Sequence, residues 1–465
     1  MMVDRLSTSI EELDEILCGG LLRHSVNVLM GAPGTGKTIL AEQIAFFHGS
    51  RGERVLYLTT FSEPLEKFVL HGRAYEFFDP DMVGRSVFYE DLGLLVNESS
   101  GLSTLVETVT EMTAQHKPRV LIIDSFKALN RPGLHPEDRR QIVFELATVL
   151  ASLDCTTILV GEYAPESLTE LPEFAIADGI IQLSKVHSGM REQRFLRVEK
   201  LRGSDSLEGM HAFGIHADGL HVYPRLRTPA NFPDYSPSLE RAKSGVPRLD
   251  TMLDGGFLRG STSLVAGPTG VGKTALALRF AITGALAGEK TLYLGFQENP
   301  VQFRATLRNF GWDDEALLSS GNMEHMYRSP VEMQIDSVVV ELFQRVRQQK
   351  IRRLVIDALG DLRHRSYDPQ RLIEYLYSLT QWFAVEEVTT LITVEVPTAL
   401  LLQQVTGDEV SNMSDNILTL RFKADREMQR WIRILKTRNS GHDPVERRFE
   451  ISSSGMEIDT QPQES

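Results

Sequence analysis

The sequence has 465 residues and a formal net charge of −14, with 42% apolar and 24% charged residues. This length allows two or three domains with cores of their own, and the composition is that of a folded globular protein. The acidic balance argues against a nucleic-acid coat or a membrane-surface protein. The two cysteines, Cys18 and Cys155, exclude a disulfide framework and a cysteine-based zinc site.

Targeting signals are not apparent in the sequence. The N-terminal stretch has neither the basic segment nor the apolar block of a signal peptide. No run approaches the roughly 18 to 20 apolar residues that span a membrane. Together with the low cysteine content, these features predict a cytoplasmic protein without a membrane segment.

The second half of the chain repeats the first. The stretch "LCGGLLRHSVNVLMGAPGTGKTIL" at 17–40 is matched by "LDGGFLRGSTSLVAGPTGVGKTAL" at 253–276. Lys37 and Lys273 are 236 positions apart, and landmarks along both halves keep offsets within a few residues of this value. An offset kept over such a length indicates the tandem duplication of a whole domain.

Each half alternates short apolar runs with helical patterns. The runs are RVLYLTT, VLIIDS and TTILVGE in the first half, and KTLYLGF, RRLVIDA and TTLITVE in the second. Continuous apolar runs separated by helices are typical of parallel strands buried on both faces. Strands of alternating polarity then close each half, as in an antiparallel edge. The sequence therefore predicts an α/β fold, a three-layer domain used twice.

The boundary between the halves is a stretch rich in proline and polar residues, 225–246, which reads as an extended linker. The predicted organisation is a first domain at 1–228, a linker at 229–246, a second domain at 247–456 and a polar tail at 457–465.

Both halves carry a phosphate-binding loop, GAPGTGKT and GPTGVGKT, after an apolar strand and before a helical pattern. Its glycines let backbone N–H groups surround phosphate oxygens, and the helix N-terminus adds positive charge. A glycine-rich turn without a ligand is the alternative, which two matches in the right setting make improbable. The residues predicted to bind nucleotide are Gly34, Thr35, Gly36, Lys37, Thr38 and Ile39, and Thr269, Gly270, Val271, Gly272, Lys273, Thr274 and Ala275.

Two aspartates, Asp124 and Asp357, each end an apolar strand. A carboxylate in this position orders Mg²⁺ and its waters beside the hydroxyl of the loop threonine, Thr38 or Thr274. The alternative is an aspartate that caps a helix. The position relative to the phosphate loop favours the metal role.

Two glutamates, Glu63 and Glu298, follow the strand after the phosphate-loop helix. A carboxylate there could orient and deprotonate the attacking water, and we also place Glu298 near the metal. The alternative is a capping-box residue that stabilises the next helix. Because the glutamate recurs in both halves, we favour the catalytic role, which also involves Lys37 and Lys273.

A pair of cations lies near the end of a predicted strand in each half, Lys200 and Arg202 in the first and Lys436 and Arg438 in the second. Successive strand side chains alternate faces, so residues two apart point the same way. Strand cations can simply keep an edge soluble. Their duplication at the same offset favours a function for these K-x-R pairs.

With these motifs placed, the sequence resembles the KaiC family, the circadian-clock ATPases of the RecA superfamily. The resemblance covers nearly the whole chain and is most specific at "KLRGSDSLEGMHAFGIHADGLHVYP" and around the two phosphate loops. It implies two tandem RecA-like P-loop NTPase domains, each a mostly parallel sheet with helices on both faces and an antiparallel edge. It also implies a homohexamer with ATP and Mg²⁺ between neighbouring subunits.

The resemblance also offers a role for the K-x-R pairs. In that family the K-x-R strand of one subunit reaches the phosphates bound by the next, where its cations stabilise the charge on the transferred phosphoryl group. Arg194 and Arg430, each six residues before its lysine, would extend this basic edge. The residues implied to contact a neighbour's nucleotide are Lys200, Leu201, Arg202, Arg430, Lys436, Thr437 and Arg438.

The sequence departs from the family at two places. The family has two consecutive glutamates after the strand, but Ser62 and Gln297 hold the first position here, so we expect slow or altered turnover. The Ser-Thr pair that the family's second domain phosphorylates falls on Ser411 and Asn412, with Ser414 nearby. Autophosphorylation of Ser411 is left open.

Three functions follow as hypotheses. The first is a homohexameric, Mg-dependent ATPase with serine autokinase activity, a signalling or timing switch with regulatory protein partners. The second is a RecA-type nucleic-acid motor, for which the loops at 125–141 and 359–371 carry basic residues, although the acidic total makes nucleic acid an improbable partner. The third is a nucleotide-gated scaffold with vestigial hydrolysis.

Overall fold

The computed structural model describes residues 4–60, 64–93, 101–126, 136–164, 166, 168, 171–188, 191–228, 238–331, 333–363, 369–397, 409–424, 427–453 and 455–459. The chain divides into two compact units, Met1–Arg225 and Leu226–Ser465.

The first unit contains eleven strands among its described residues. They are β1 (Arg5–Leu6), β2 (Leu21–Leu22), β3 (Val26–Gly31), β4 (Val55–Thr59), β5 (Val87–Asp91), β6 (Val120–Asp124), β7 (Thr156–Gly161), β8 (Gly179–Ser188), β9 (Arg191–Leu201), β10 (His211–His216) and β11 (Gly219–Tyr223). Its helices are α1 (Glu11–Ile16), α2 (Lys37–Ser50), α3 (Leu65–Gly72), α4 (Gly101–His116), α5 (Pro136–Ser152) and α6 (Pro172–Ile176), with a 3₁₀ turn at Pro80–Met82.

The second unit also contains eleven strands among its described residues, with two more helices than the first. Its described strands are β12 (Arg241–Ala242), β13 (Phe257–Leu258), β14 (Thr262–Gly267), β15 (Thr291–Gly295), β16 (Met323–Tyr327), β17 (Arg353–Asp357), β18 (Thr389–Glu395), β19 (Asn416–Ala424), β20 (Met428–Thr437), β21 (Arg447–Ser452) and β22 (Gly455–Ile458). Its helices are α7 (Pro247–Met252), α8 (Lys273–Leu286), α9 (Pro300–Asn309), α10 (Asp314–Ser319), α11 (Ile335–Gln349), α12 (Leu359–Arg363), α13 (Pro369–Val385) and α14 (Glu409–Met413).

Each unit is built on a nine-stranded sheet. The strand order is β11-β10-β9-β8-β3-β7-β6-β4-β5 in the first unit, and β22-β21-β20-β19-β14-β18-β17-β15-β16 in the second. The strands from β8 to β5 are parallel, and β9, β10 and β11 continue the sheet antiparallel. The second sheet has the same pattern. The predicted fold, a mostly parallel sheet with an antiparallel edge used twice, is confirmed.

Apolar layers cover both faces of each sheet, as strands buried on two sides require. In the first unit, Tyr57 packs into the layer formed with α1, α2 and α3, while Leu56 and Leu58 pack into the layer formed with α4 and α5. In the second unit, Tyr293 and its neighbour Leu294 separate in the same way. Successive residues of a strand therefore pack into different apolar layers, and this alternation fixes the register of the strand.

The strand before each phosphate loop is wholly buried, so the loop leaves the sheet at a fixed point. Gly36 and Gly272 precede the helices α2 and α8 with left-handed φ angles of 105° and 117°. A Cβ at Gly36 would lie 2.8 Å from Ile215 Cδ1. Only glycine allows this turn at low cost, so the sequence motif and the local backbone agree.

Part of the predicted linker is structured. Arg241 and Ala242 pair antiparallel with Leu258 and Phe257, as Arg5 and Leu6 pair with Leu22 and Leu21 in the first unit. Ala242 is buried in the core of the second unit. The duplicated domain therefore begins with this small ribbon, ahead of residue 247.

Candidate nucleotide sites

The phosphate loop of the first unit is held in shape by its own side chains. Lys37 is buried, and its Nζ donates to Ala32 O at 2.9 Å. The Thr35 hydroxyl donates to the same carbonyl at 2.9 Å. The loop borders a cleft of about 310 Å³ lined by Gly34, Gly36, Lys37, Thr38, Ile39, Tyr57, Thr59, Phe68, Tyr89, Asp124, Ser125 and Glu162. A lysine ammonium group and a helix N-terminus at one cleft favour a bound anion.

The second unit holds its lysine in the same way. Lys273 Nζ donates to Gly267 O and Pro268 O, both at 2.8 Å. Burial lowers the pKa of Lys273, while the carboxylates of Glu395 and Asp357 act in the opposite direction. The Thr269 hydroxyl of the loop donates to Glu395 at the end of β18. The predicted loop residues thus lie together in both units.

Both predicted metal-ordering aspartates are held by hydroxyl groups. Asp124 Oδ2 accepts hydrogen bonds from the Thr38 hydroxyl at 2.8 Å and from the Tyr57 hydroxyl at 3.0 Å. Asp357 Oδ2 accepts from the Tyr293 hydroxyl at 2.6 Å. These contacts bring the strand aspartate beside the phosphate loop in the first unit, as the metal hypothesis requires.

The donors at these sites suit Mg²⁺, which prefers carboxylate and hydroxyl oxygens and keeps several waters. Among the described residues, no three His, Cys, Asp or Glu side chains are grouped as a metal cage. A threonine hydroxyl and one carboxylate therefore fit a cation that takes its other ligands from water and a nucleotide phosphate.

Glu298 lies at the carboxyl end of β15, where its Oε1 accepts from the Thr306 hydroxyl at 3.0 Å. Burial raises the pKa of Glu298; the Thr306 bond lowers it and the Asp357 charge raises it. The capping box of α9 is made by Asn299 and Gln302. Since those two residues cap the helix, the capping alternative for Glu298 is not supported, and a base of raised pKa is better suited to proton transfer near neutral pH.

Of the other residues that follow these strands, the structure describes only Gln297. Gln297 Nε2 donates to Asp361 Oδ2 at 3.3 Å, so the amide that replaces a glutamate faces a second carboxylate. Ser62 and Glu63 lie outside the described residues, as does much of the loop at 125–141.

The K-x-R pairs bind carbonyl groups of their own unit. Lys200 Nζ donates to Phe174 O at 3.0 Å and Ala175 O at 3.1 Å, and Arg202 donates to Ala175 O at 3.0 Å. These carbonyls belong to the last turn of α6, where cations are favourable. Burial lowers the pKa of Lys200, and the charge of Arg202 lowers it further.

The second unit repeats this arrangement at α14. Lys436 Nζ donates to Ser411 O at 3.0 Å and Ser414 O at 2.8 Å, and Arg438 donates to Asn412 O at 2.6 Å. The cations therefore cap the short helix that precedes β19. Arg202 is 56% exposed, so its guanidinium also remains open to solvent.

The strand register places each K-x-R pair far from its own phosphate loop. Lys200 pairs with Ile180, which pairs with Val28 near the start of β3. Lys436 pairs with Ile417, which pairs with Leu264 near the start of β14. The loops follow the other ends of β3 and β14, about 10 Å further along the strands at about 3.3 Å per residue.

Arg194 and Arg430 lie towards the opposite end of their strands. Arg194 pairs with Lys185 at the far end of β8, and its guanidinium meets Glu192 at 3.0 Å. Arg430 stands over the Phe422 ring at 5.7 Å. Each arginine is six positions from its lysine, about 20 Å along the strand, so the two groups do not form one continuous basic edge within a subunit. Their contact with nucleotide stays a prediction.

The predicted phosphoacceptor is buried. Ser411 is 3% exposed and Ser414 is 1% exposed; Ser411 lies within α14 and Ser414 directly follows it. Asn412, which has no hydroxyl group, is the exposed member of the segment. A kinase reaction at Ser411 would therefore require this helix to move.

Sequence reasoning missed several residues at these sites. Glu162 and Glu395 follow or end the strand beside the phosphate-loop strand, level with Gly31 and Gly267. Tyr57 and Tyr293 were counted only as apolar strand residues. The recurrence of Tyr and of Glu in both halves was the available signal. Their contacts could not be predicted because they depend on which strands become neighbours.

Two tandem α/β units, each with a phosphate loop between a buried strand and a helix and with an aspartate on a nearby parallel strand, define a double RecA-like P-loop NTPase. No helix in the described part of the chain is long and apolar enough to cross a membrane.

Comparison with known proteins gives the family. The profile of the KaiC ATPase family matches residues 6–227 and 242–463, and the chain belongs to this family. It is 28% identical to the circadian clock oscillator protein KaiC of Picosynechococcus sp., with 98% of this chain and 90% of that protein aligned. It is 27% identical to the circadian clock oscillator protein KaiC 1 of Synechocystis sp., with 98% and 89% aligned. Family membership implies an ATPase that binds nucleotide.

Proposed function

We propose that the chain hydrolyses ATP with Mg²⁺ as a ring of identical subunits, six by its family, in which each nucleotide lies between two subunits. The observation that carries this proposal is the register of Lys200 and Lys436, which lie towards the end of the sheet opposite their own phosphate loops. A cation there cannot reach its own nucleotide. In a closed ring, however, one edge of each subunit faces the other edge of the next.

The chemistry divides between the two subunits. The loop backbone and Lys37 or Lys273 hold the phosphates, and Thr38 with Asp124 would hold Mg²⁺, which neutralises phosphate charge when bound. Glu298, with its raised pKa, accepts the proton of the attacking water in the second unit. The neighbour's lysine and arginine stabilise the charge that develops on the transferred group.

Hydrolysis, rather than autophosphorylation, is the fate of the γ-phosphate that we propose. Ser411 is 3% exposed and is followed by Asn412, which offers no acceptor hydroxyl. The relatives are named as circadian clock oscillator proteins, and a slow ring ATPase of this type would act in the cytoplasm as a timing or signalling switch with regulatory protein partners.

Subunit mixing tests the proposal. Both variants carry Lys273→Ala, which silences the second unit. One also carries Lys37→Ala and cannot hold nucleotide in the first unit, and the other carries Arg202→Ala and lacks the arginine of the pair. Each alone should lose activity by about 10³-fold, the scale of an arginine finger. Co-expressed in one ring, they should regain hydrolysis at about a quarter of the interfaces, since only one of four random neighbour pairs combines an intact loop with an intact arginine.

Arg197→Ala is the matched control, because Arg197 lies on the same strand and is 55% exposed but pairs with Glu199. That variant should hydrolyse ATP as the parent does. The proposal fails if mixed rings stay inactive, or if native mass measurement shows an ATP-loaded monomer.

A further inference from the structure

The carboxylates that order the metal are held differently in the two units. In the second unit, Asp357 Oδ1 accepts a hydrogen bond from the Thr393 hydroxyl on β18, and Oδ2 accepts from Tyr293. Thr393 is fully buried, so its hydroxyl group cannot donate to solvent instead. Both oxygens of Asp357 therefore already bind neutral donors that belong to the sheet.

In the first unit the position of Thr393 is taken by a residue without a hydroxyl group. Thr393 pairs with Val265 of β14, and the residue at the same place in the first sheet is Val160, which pairs with Leu29 of β3. Val160 is 1% exposed and has no polar atom in its side chain. Asp124 accepts instead from Thr38 of the phosphate loop, at 2.8 Å.

This difference concerns the loop threonine, which is the metal ligand of the motif. When Thr38 donates its proton to Asp124, its oxygen lone pairs stay available to a cation, with the carboxylate beside them. Within the described residues, Thr274 makes no such bond to Asp357. The hydroxyl and carboxylate are thus preorganised for a cation in the first unit, while in the second the carboxylate is tied to β18.

We propose that Thr393 is a positioning residue that holds Asp357 away from the phosphate loop, so that the second unit binds the divalent cation of its nucleotide more weakly than the first. This inference rests on the proposed function. Partners in the second shell of a metal typically change its affinity by about 10- to 100-fold. We expect a difference at the lower end of that range, since Asp357 orders the metal beside a threonine and nucleotide phosphates that remain in place.

The test measures Mn²⁺ binding to the full chain in the presence of ADP, by electron paramagnetic resonance, and so needs no hydrolysis. Lys273→Ala leaves only the first site and Lys37→Ala only the second. We expect the first site to bind Mn²⁺ about tenfold more tightly. Thr393→Val should tighten the second site by a similar factor, and Val160→Thr should weaken the first.

Thr393→Ser is the matched control, because it keeps the hydroxyl group and should leave the weak site unchanged. A merely structural role for Thr393 would give the same result for Ser and Val. Equal Mn²⁺ affinity at the two sites, or an unchanged second site in Thr393→Val, would overturn the inference while leaving the proposed function intact. If neither site binds Mn²⁺ with ADP, the proposed nucleotide chemistry itself is wrong, and the inference falls with it.

Discussion

In the first unit Glu53 is paired by Arg119 at 3.1 Å and by His48, whereas in the second unit the corresponding Glu289 is paired by Arg353 and by Arg259. Arg119 is 34% exposed and Arg353 only 2%. The glutamates occupy the same place in the repeat, yet one ion pair lies near the surface and the other in the core.

Arg353 can be buried because the second unit has a glycine where the first unit has a histidine. Arg353 begins β17 where Val120 begins β6, and it fills the space over Gly284, where the first unit has His48. Its guanidinium donates to Lys243 O at 2.7 Å and Phe280 O at 2.9 Å. Duplicated domains can therefore keep one sheet topology while the buried polar residues differ between them. Because the interior is close-packed, a larger side chain at one position requires a smaller one at a neighbouring position.

The largest expected difference concerns Glu298, the proposed catalytic base. Glu298→Gln should lower hydrolysis by the second unit about 10²- to 10⁴-fold, since the amide cannot accept the proton of the attacking water. ATP binding should persist, as measured by nucleotide retention in the Lys37→Ala background.

Asn299→Ala serves as its structural control, because Asn299 is the cap of α9. It should cost about 1 kcal/mol of helix stability and leave hydrolysis by the second unit nearly unchanged. If Glu298→Gln behaves like Asn299→Ala, the glutamate has only a structural role and the second unit is a scaffold.

The second-largest expected effect is the loss of stability when the buried Arg353 is replaced. Arg353→Val should reduce the free energy of unfolding by about 2 to 3 kcal/mol, because the carbonyls of Lys243 and Phe280 lose their buried donor. Glu289 keeps its ion pair with Arg259. Arg119→Val should cost at most about 1 kcal/mol, as for other exposed pairs. All three tryptophans, Trp312, Trp382 and Trp431, lie in the second unit, so their fluorescence in urea measures the effect of Arg353→Val. Unfolding of the first unit in Arg119→Val is followed by far-UV circular dichroism.

A double variant tests whether Gly284 and Arg353 depend on each other. Gly284→His alone should also destabilise the second unit, since its side chain meets Arg353. Gly284→His with Arg353→Val recreates the pairing of the first unit and should recover much of the loss, a coupling that distant residues would not show. Simple additivity of the two changes would contradict this interpretation.

The smallest effect is a dependence on pH. His325 stacks on Phe303 with ring centroids 3.8 Å apart, where the first unit has Tyr89 on Phe68. Burial lowers the pKa of His325 to about 4. The unfolded chain therefore binds the proton first, so this residue makes the second unit less stable as the pH falls from about 6.5 to about 4.

Urea unfolding followed by tryptophan fluorescence at several pH values measures this dependence. His325→Tyr should reduce the loss of stability over that window, because tyrosine does not titrate there. An unchanged pH profile would show that the imidazole titrates as it does in the unfolded chain.

Much of the molecule could be predicted from local sequence. Backbone shape and burial pattern are local properties, so short stretches of sequence are enough to recognise them. Examples are the glycines of the phosphate loops, the apolar runs of the parallel strands and the repeat at 236 residues. These features sufficed for the fold, and they located Lys37, Thr38 and Asp124 at one cleft.

Only the tertiary structure decided which groups meet. The bonds of Asp357 to Tyr293 and Thr393 join three different strands, and their partners follow from strand order and register rather than from any motif. The same holds for Lys200, whose distance from its own loop depends on the antiparallel return of β9. Local sequence determines the conformation of a segment, but contacts between distant segments depend on how the whole sheet is assembled, and the chemistry of this protein lies in those contacts.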